Sequence, residues 1–381
     1  MLYKKIKKHA ESDMYPMHMP GHKGNKNFMP DSNMYDLDIT EIHGFDDLHN
    51  PRGILLETET LAAELYDSRR AFMLVNGSTV GILAAIGAHA KRGDKILAVN
   101  NYHWSTPNAA KLFGLKLITI DAEIDENSGV PCSVSPEAIE HALLKNPKIK
   151  LVIITSPSYE GVVSDVEAIA NVAHRHGCLL IVDSAHGAHL GFSKAFPKNA
   201  AILGADIVVM SLHKTLPAMT QCSLLHVCSE GVDIKKIRDM LYILQTSSPS
   251  YVLMSSMDYC LRLLKSDSAM LFHEYEENLS AFYSRVKKLK KLVVLSNDAR
   301  SLNNADDSHT PNFFDFDIGK IIILTKNSPL SSESLAEKLR SEFKIEIERV
   351  CDDYVIAMTS ICDTSEGFNR LADALIEIDE Y

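Results

Sequence analysis

The chain has 381 residues, 46% of them hydrophobic and 23% charged, with a net charge of −11. That balance suits a globular protein with a large core and room for a second domain, and it argues against a nucleic-acid footprint. Seven cysteines are scattered at 132, 178, 222, 228, 260, 351 and 362 without a C-x-x-C pair. This speaks against a disulfide framework and a structural zinc site, and fits a reducing, cytoplasmic compartment.

The N-terminus, Met-Leu-Tyr-Lys-Lys-Ile-Lys-Lys-His, is basic but has no signal-peptide core behind it. It reads as a solvated amphipathic helix. No apolar run approaches the ~20 residues that span a bilayer, so no membrane partner is expected. Residues 1–50 carry Pro16, Pro20 and Pro30 and little periodicity before Asp38-Ile39-Thr40. They predict one short helix and an extended arm, which either crosses to a partner subunit or folds onto its own domain.

From about residue 53 to 228, short apolar segments alternate with helical patterns. Ala71–Val75, Lys95–Val99, Leu115–Ile120, Leu151–Thr155, Leu179–Asp183, Ile207–Ser211 and Leu224–Val227 predict strands. Val166–His176, with Ile169, Val172 and Ala173 on one face, predicts a helix. The alternation predicts an α/β domain with a mostly parallel sheet covered on both faces, and ligands beyond the C-terminal strand ends.

After about 250 the texture changes. Residues 255–291 predict one long helix or two. Ile321–Leu324, Ile345–Glu348 and Val355–Met358 predict strands, and Ser332–Phe343 and Ser365–Ile378 predict helices, the last opened by a Thr364/Ser365 cap. Asn297–Asn312 reads as a loop. The expected division is a helix and arm over 1–50, a large α/β domain over 51–255 and a small α+β domain over 256–381.

The chemistry centres on Ser211-Leu212-His213-Lys214-Thr215, which follows the apolar run Ile207–Met210. A second apolar run ends in Asp183. A lysine and an aspartate at two strand ends suit pyridoxal 5'-phosphate, which needs an amine for its aldehyde and a carboxylate for its ring nitrogen. Desolvation at such a place lowers the lysine's pKa, and the neutral amine is the form that attacks an aldehyde. A carboxylate ending a buried run needs a partner, since burying an unpaired charge is costly. The small polar residues Ser184-Ala185-His186-Gly187 suit a flat ring.

Three further segments fit the same cofactor. Asn76-Gly77-Ser78-Thr79-Val80-Gly81 opens a helix with glycines and hydroxyls, a cradle for phosphate at a positive helix end. It has neither the Walker nor the dinucleotide glycine pattern. In Asn101-Tyr102-His103-Trp104-Ser105, His103 is taken as the residue stacking on the ring; Trp104 is the alternative stacker, or core packing. Thr155-Ser156-Pro157-Ser158-Tyr159-Glu160-Gly161 offers hydroxyls at a strand end, with Ser156 taken as a cofactor contact, although Pro157 and Gly161 also suffice for a plain turn. No metal is expected: His18 and His22 share an i, i+4 spacing, but Pro20 lies between them.

With these motifs on the page, the sequence resembles the Orn/Lys/Arg decarboxylase family of fold-type I pyridoxal-phosphate enzymes. The matching segments are Met19–Gly24, Asp38–Ile42, Gly44–His49, Leu74–Thr79, Thr155–Tyr159, Asp183–Gly187, Ser211–Thr215 and Gln245–Tyr251. The resemblance implies that Lys214 is the Schiff-base lysine and Asp183 the partner of the ring nitrogen. It implies that Ser78, Thr79, Ser211 and His213 hold the phosphate, that His103 stacks on the ring and that His186 lies close to it. It also implies a homodimer with active sites at the interface, built partly by the arm near Pro20–Lys23. The chain departs from the family's pattern at Trp104, where lysine is common, and it ends at Tyr381, so it is expected to be a short form without the family's usual further C-terminal domain.

The expected reaction is decarboxylation of an amino acid, a basic one such as lysine, arginine or ornithine, to the amine and carbon dioxide, with Lys214, Asp183 and His213 as the catalytic set. Aminotransferase and carbon–carbon lyase chemistry share the same lysine–aspartate frame. A shortened chain that binds the cofactor as a regulatory subunit is the non-enzymatic alternative. Glu160 reads as a weak candidate for the acidic group that recognises a basic side chain, more naturally a solvated turn residue. Arg349 reads as an exposed arginine of the small domain, or a carboxylate ligand.

Overall fold

The computed structural model describes residues 15–17, 21, 25, 39, 41, 45–295 and 313–380. The expected N-terminal helix, the His18/His22 pair, most of the arm and the Asn297–Asn312 loop lie outside these residues.

Seven strands form the central sheet, in the order Arg70–Leu74, Ser223–Val227, Ile207–Ser211, Leu179–Asp183, Ile149–Thr155, Lys95–Val99 and Lys116–Ile120. All run parallel except Ser223–Val227, which is antiparallel to both neighbours. Its reversal follows from its connection. Only residues 212–222 separate it from the preceding strand, too few for the helical crossover that a parallel pair requires.

The strands read as continuous apolar runs because both faces are covered. Leu97, Val152, Leu180, Val182, Val208 and Met210 enter one core, while Ile96, Leu151, Ile153, Ile181, Ile207 and Val209 enter the other. This is the period-2 alternation of a pleated strand with no solvent side.

The chain steps outward from Lys95–Val99 to the edge strand Lys116–Ile120, then returns to Ile149–Thr155 on the other side of the first. Strand order therefore reverses between Val99 and Thr155. A crevice opens beyond the C-terminal ends of strands at such a switch point.

The predicted long helical region is one helix, Tyr251–Val286, capped by the Ser250 hydroxyl accepting from the Leu253 N–H. It runs unbroken past residue 255 and buries Phe272, Tyr275, Leu279 and Phe282. Four antiparallel strands follow, ordered Val293–Val294, Lys320–Leu324, Tyr354–Met358 and Arg349–Val350. Helices Ser332–Ser341 and Ser365–Glu380 accompany them.

Two pairings bring distant segments to the crevice. Asp315–Phe316 pairs with Val162–Val163, just past the Thr155 strand. Tyr15–Met17 pairs in parallel with Ile345–Ile347. Gly21 of the arm donates its N–H to the His213 carbonyl at 2.6 Å and accepts from the Ser360 hydroxyl at 2.7 Å. The arm thus touches the turn that carries Lys214 in its own chain. Among the described residues no helix is long and apolar enough to cross a membrane.

Candidate active site

A cavity of about 590 Å³ sits at the switch point, lined in part by Ser78, His103, Asp183, His186, Ser211 and Lys214. It lies within the range of small-molecule sites. Asp183 and Ser211 end adjacent parallel strands, and Lys214 falls in the one-turn helix Leu212–Thr215 that follows. The register sets Asp183 beside Val209 and Thr155 beside Asp183. Three strand ends therefore deliver their polar residues to one wall.

Asp183 is 3% exposed, and its Oδ1 accepts from the Ala185 N–H at 3.2 Å. Burial raises its pKa above the ordinary carboxylate range, opposed by the Lys214 charge. Burial also holds the Lys214 ammonium below the ordinary lysine range, against the pull of Asp183 and Glu348. Both groups are charged only at a cost, and each eases the other's. Lys214 Nζ lies 3.0 Å from His186 Nε2. Burial, reinforced by the nearby lysine charges, keeps the His186 imidazole neutral well below its usual range.

The helix Gly77–His89 starts at the same wall. Gly77 has φ +72, a left-handed conformation, and a Cβ built there meets nothing within 4 Å. The turn needs glycine, and the space beside it is open. Ser78 Oγ lies 2.5 Å from Ser211 Oγ and donates to Ser223 Oγ at 3.3 Å. Helix start and strand end thus present a hydroxyl cluster beside backbone N–H groups, a setting suited to an anion. Thr79 lines the cavity as well. The His213 ring places Nδ1 2.9 Å from the Cys222 carbonyl, so Nδ1 carries the proton and Nε2 is left as an acceptor. Burial lowers the pKa of His213.

His103 stands at the rim, its Nδ1 3.0 Å from the Ser105 hydroxyl. Trp104 is 76% exposed, which rules out core packing for it. Ser156 differs from expectation. Its hydroxyl accepts from the Ser164 N–H at 3.1 Å, and it is absent from the cavity wall. The pleat turns Thr155 to the cavity instead.

Glu160 is buried rather than solvated, 6% exposed, and accepts from the Ser158 and Tyr354 hydroxyls at 3.0 and 3.2 Å. Arg349 lines the cavity, its guanidinium 4.9 Å above the Tyr159 ring. The sequence reading missed Lys320 altogether. It is 1% exposed, and its Nζ lies 2.7 Å from His186 Nδ1. A lysine opening a strand ordinarily reads as a solvated end, so the sequence carries no local signal for it.

These residues fit pyridoxal phosphate. On the cavity wall, the Thr155 hydroxyl oxygen is buried with no hydrogen-bond partner among the described residues. The open space beside Gly77, a desolvated amine and a desolvated carboxylate complete a donor set that matches an anionic phosphate, an aldehyde and a ring nitrogen.

Comparison with known proteins points the same way. Residues 1–317 match the family model for the Orn/Lys/Arg decarboxylase major domain. The chain is 38% identical over 312 residues to the uncharacterized protein YaaO of Bacillus subtilis, covering 80% of this chain and 64% of that protein. It is 30% identical over 384 residues to arginine decarboxylase of the same organism, covering 99% and 76%. The lysine decarboxylase LdcF of Francisella novicida superposes with a TM-score of 0.78 at 18% identity, covering 99% of this chain and 59% of that one. The fold is that of fold-type I pyridoxal-phosphate enzymes, and the chain belongs to the Orn/Lys/Arg decarboxylase family of such enzymes.

Proposed function

We propose that the chain decarboxylates a basic amino acid (lysine, arginine or ornithine) to the amine and carbon dioxide. The observation that carries this is the convergence of a buried amine, Lys214, and a buried carboxylate, Asp183, with the Ser78–Ser211 hydroxyl pair on one cavity. Family membership supports decarboxylation over transamination or carbon–carbon cleavage. Arginine decarboxylase among the relatives, and the Glu160 carboxylate in the cavity wall, support a basic substrate.

Bound there, pyridoxal phosphate supplies the aldehyde and the electron sink. Lys214 Nζ would be the amine that holds the aldehyde, and Asp183 would keep the ring nitrogen protonated. Ser78, Thr79, Ser211 and His213, with the backbone at Gly77, would hold the phosphate, and His103 would stack on the ring. His186, its Nε2 3.0 Å from Lys214 Nζ, would orient that amine. When the bond to the carboxylate breaks, its electron pair stays with Cα, and a proton returns to Cα from the Lys214 ammonium, or from His213 once its Nε2 has taken up a proton. Residues 51–255 are the cofactor-binding domain, residues 256–381 the small domain bordering the cavity, and the working unit is a homodimer.

Incubation with a panel of amino acids, read by mass spectrometry, should give an amine from a basic substrate. Keto acids in place of amines would overturn the reading in favour of transamination. Lys214→Ala should abolish turnover, and a fully active variant would refute the site.

A further inference from the structure

His186 stands between two lysines. Its Nε2 is 3.0 Å from Lys214 Nζ and its Nδ1 is 2.7 Å from Lys320 Nζ. A neutral imidazole has one N–H and one lone pair. It accepts from one amine and donates to the other, so the two lysines cannot both be ammonium ions and both be satisfied. The amine receiving the imidazole N–H must be neutral. The contact is built rather than incidental. Lys320 opens the central strand of the small domain, and Gly161, at φ +96, lies against its stem, where a Cβ would come within 2.6 Å of Lys320 Cγ.

We propose that Lys320 is a positioning residue that takes, through His186, the proton Lys214 must lose to become a nucleophile. Lys214 gives a proton to Nε2, Nδ1 gives its proton to Lys320, and the imidazole ends neutral in the other tautomer. Charge and protons balance without solvent. The inference rests on the proposed role of Lys214.

The surroundings agree. Asp317 from its own turn, Glu348 and Glu160 favour charge on Lys320, while Lys214 opposes it, and burial brings its pKa down to about 7. Its ammonium also lies 5.8 Å from the centre of the Tyr159 ring. Lys214 is favoured as a cation by Asp183 and Glu348. His213 and His189 add to the field on His186. Burial thus lowers both lysines from the ordinary lysine range, so each parts with its proton more readily than an exposed lysine.

The test is the pH profile of Lys214 acylation by acetic anhydride in the cofactor-free full-length chain, read by peptide mass spectrometry against exposed Lys198. Lys320→Met removes the acceptor and should raise the Lys214 midpoint by about one pH unit, about tenfold less acylation near neutrality. Lys320→Arg keeps a cation on Nδ1 and should leave the midpoint at or below that of the unmutated protein. An unmoved midpoint in folded Lys320→Met, or an equal rise in both variants, would overturn the proposal. A third measurement needs no variant. Imidazole ¹⁵N spectra should show His186 neutral at about pH 7, and an imidazolium there would also overturn it. Neither readout uses turnover, so absent decarboxylation would leave the relay standing, and a flat acylation profile would leave the decarboxylase reading standing.

Discussion

Replacing Asp183 by asparagine should separate cofactor binding from folding. The carboxylate is 3% exposed, accepts from the Ala185 N–H at 3.2 Å, and has its pKa raised by burial. An acid whose folded pKa lies above its unfolded one ionises more readily unfolded. It therefore weakens the fold as pH rises through the ordinary carboxylate range. Asparagine keeps the shape and the acceptor and removes that penalty, so the cofactor-free variant should be at least as stable as the parent at neutral pH. The cofactor should behave oppositely. Losing a charge-assisted hydrogen bond to the ring nitrogen costs about 2–3 kcal/mol, about 30- to 150-fold in affinity. Urea unfolding of the cofactor-free chain and a spectroscopic titration with pyridoxal phosphate measure the two quantities. Cofactor affinity unchanged in a folded variant would refute the reasoning, as would a loss of stability in the cofactor-free chain as large as the loss of binding.

Ser211→Ala removes one half of the 2.5 Å hydroxyl pair with Ser78. It should weaken pyridoxal phosphate about fivefold, the worth of one hydrogen bond, while leaving pyridoxal without phosphate unaffected in a competition titration. Gly161→Ala puts a Cβ at φ +96 and 2.6 Å from Lys320 Cγ, and should cost about 2–4 kcal/mol in urea unfolding. The Lys320 pKa is lowered to about 7, so its unfolded form holds a proton that the folded form has lost between there and the ordinary lysine range. Its burial penalty is full below about pH 7 and fades above. The stability of Lys320→Met relative to the parent should therefore be greatest near pH 6 and decline toward pH 10, by at most about 1.4 kcal/mol per pH unit. A pH-independent difference would exclude this.

The central sheet was legible because its strands are covered on both faces. Ile207–Met210 and Leu179–Val182 had to be continuous apolar runs, and the polar residue ending each run had to sit at the rim of the sheet. Ser156 and Thr155 show the limit of that reading. A one-residue step on a pleated strand reverses the direction of a side chain, and composition does not reveal which of two adjacent hydroxyls faces the cavity. Glu160 illustrates a second limit. It looked solvated in its own segment, and it is buried at the cavity by a partner remote in sequence, Tyr354, whereas Arg349 is exposed as expected and lines the cavity as well.

By itself, then, the sequence determined the α/β layering, the strand ends at Asp183 and Ser211 with Lys214 just beyond the second, and the glycine–hydroxyl helix start at Gly77–Thr79. These are properties of contiguous residues, set by side-chain period, apolar run length and local turn chemistry. Tertiary structure alone decided that Lys320 meets His186 across 134 residues of chain. That contact depends on where the Lys320–Leu324 strand lies. The Tyr251–Val286 helix and the pairing of Asp315–Phe316 with Val162–Val163 place it there through collective burial that no single segment encodes.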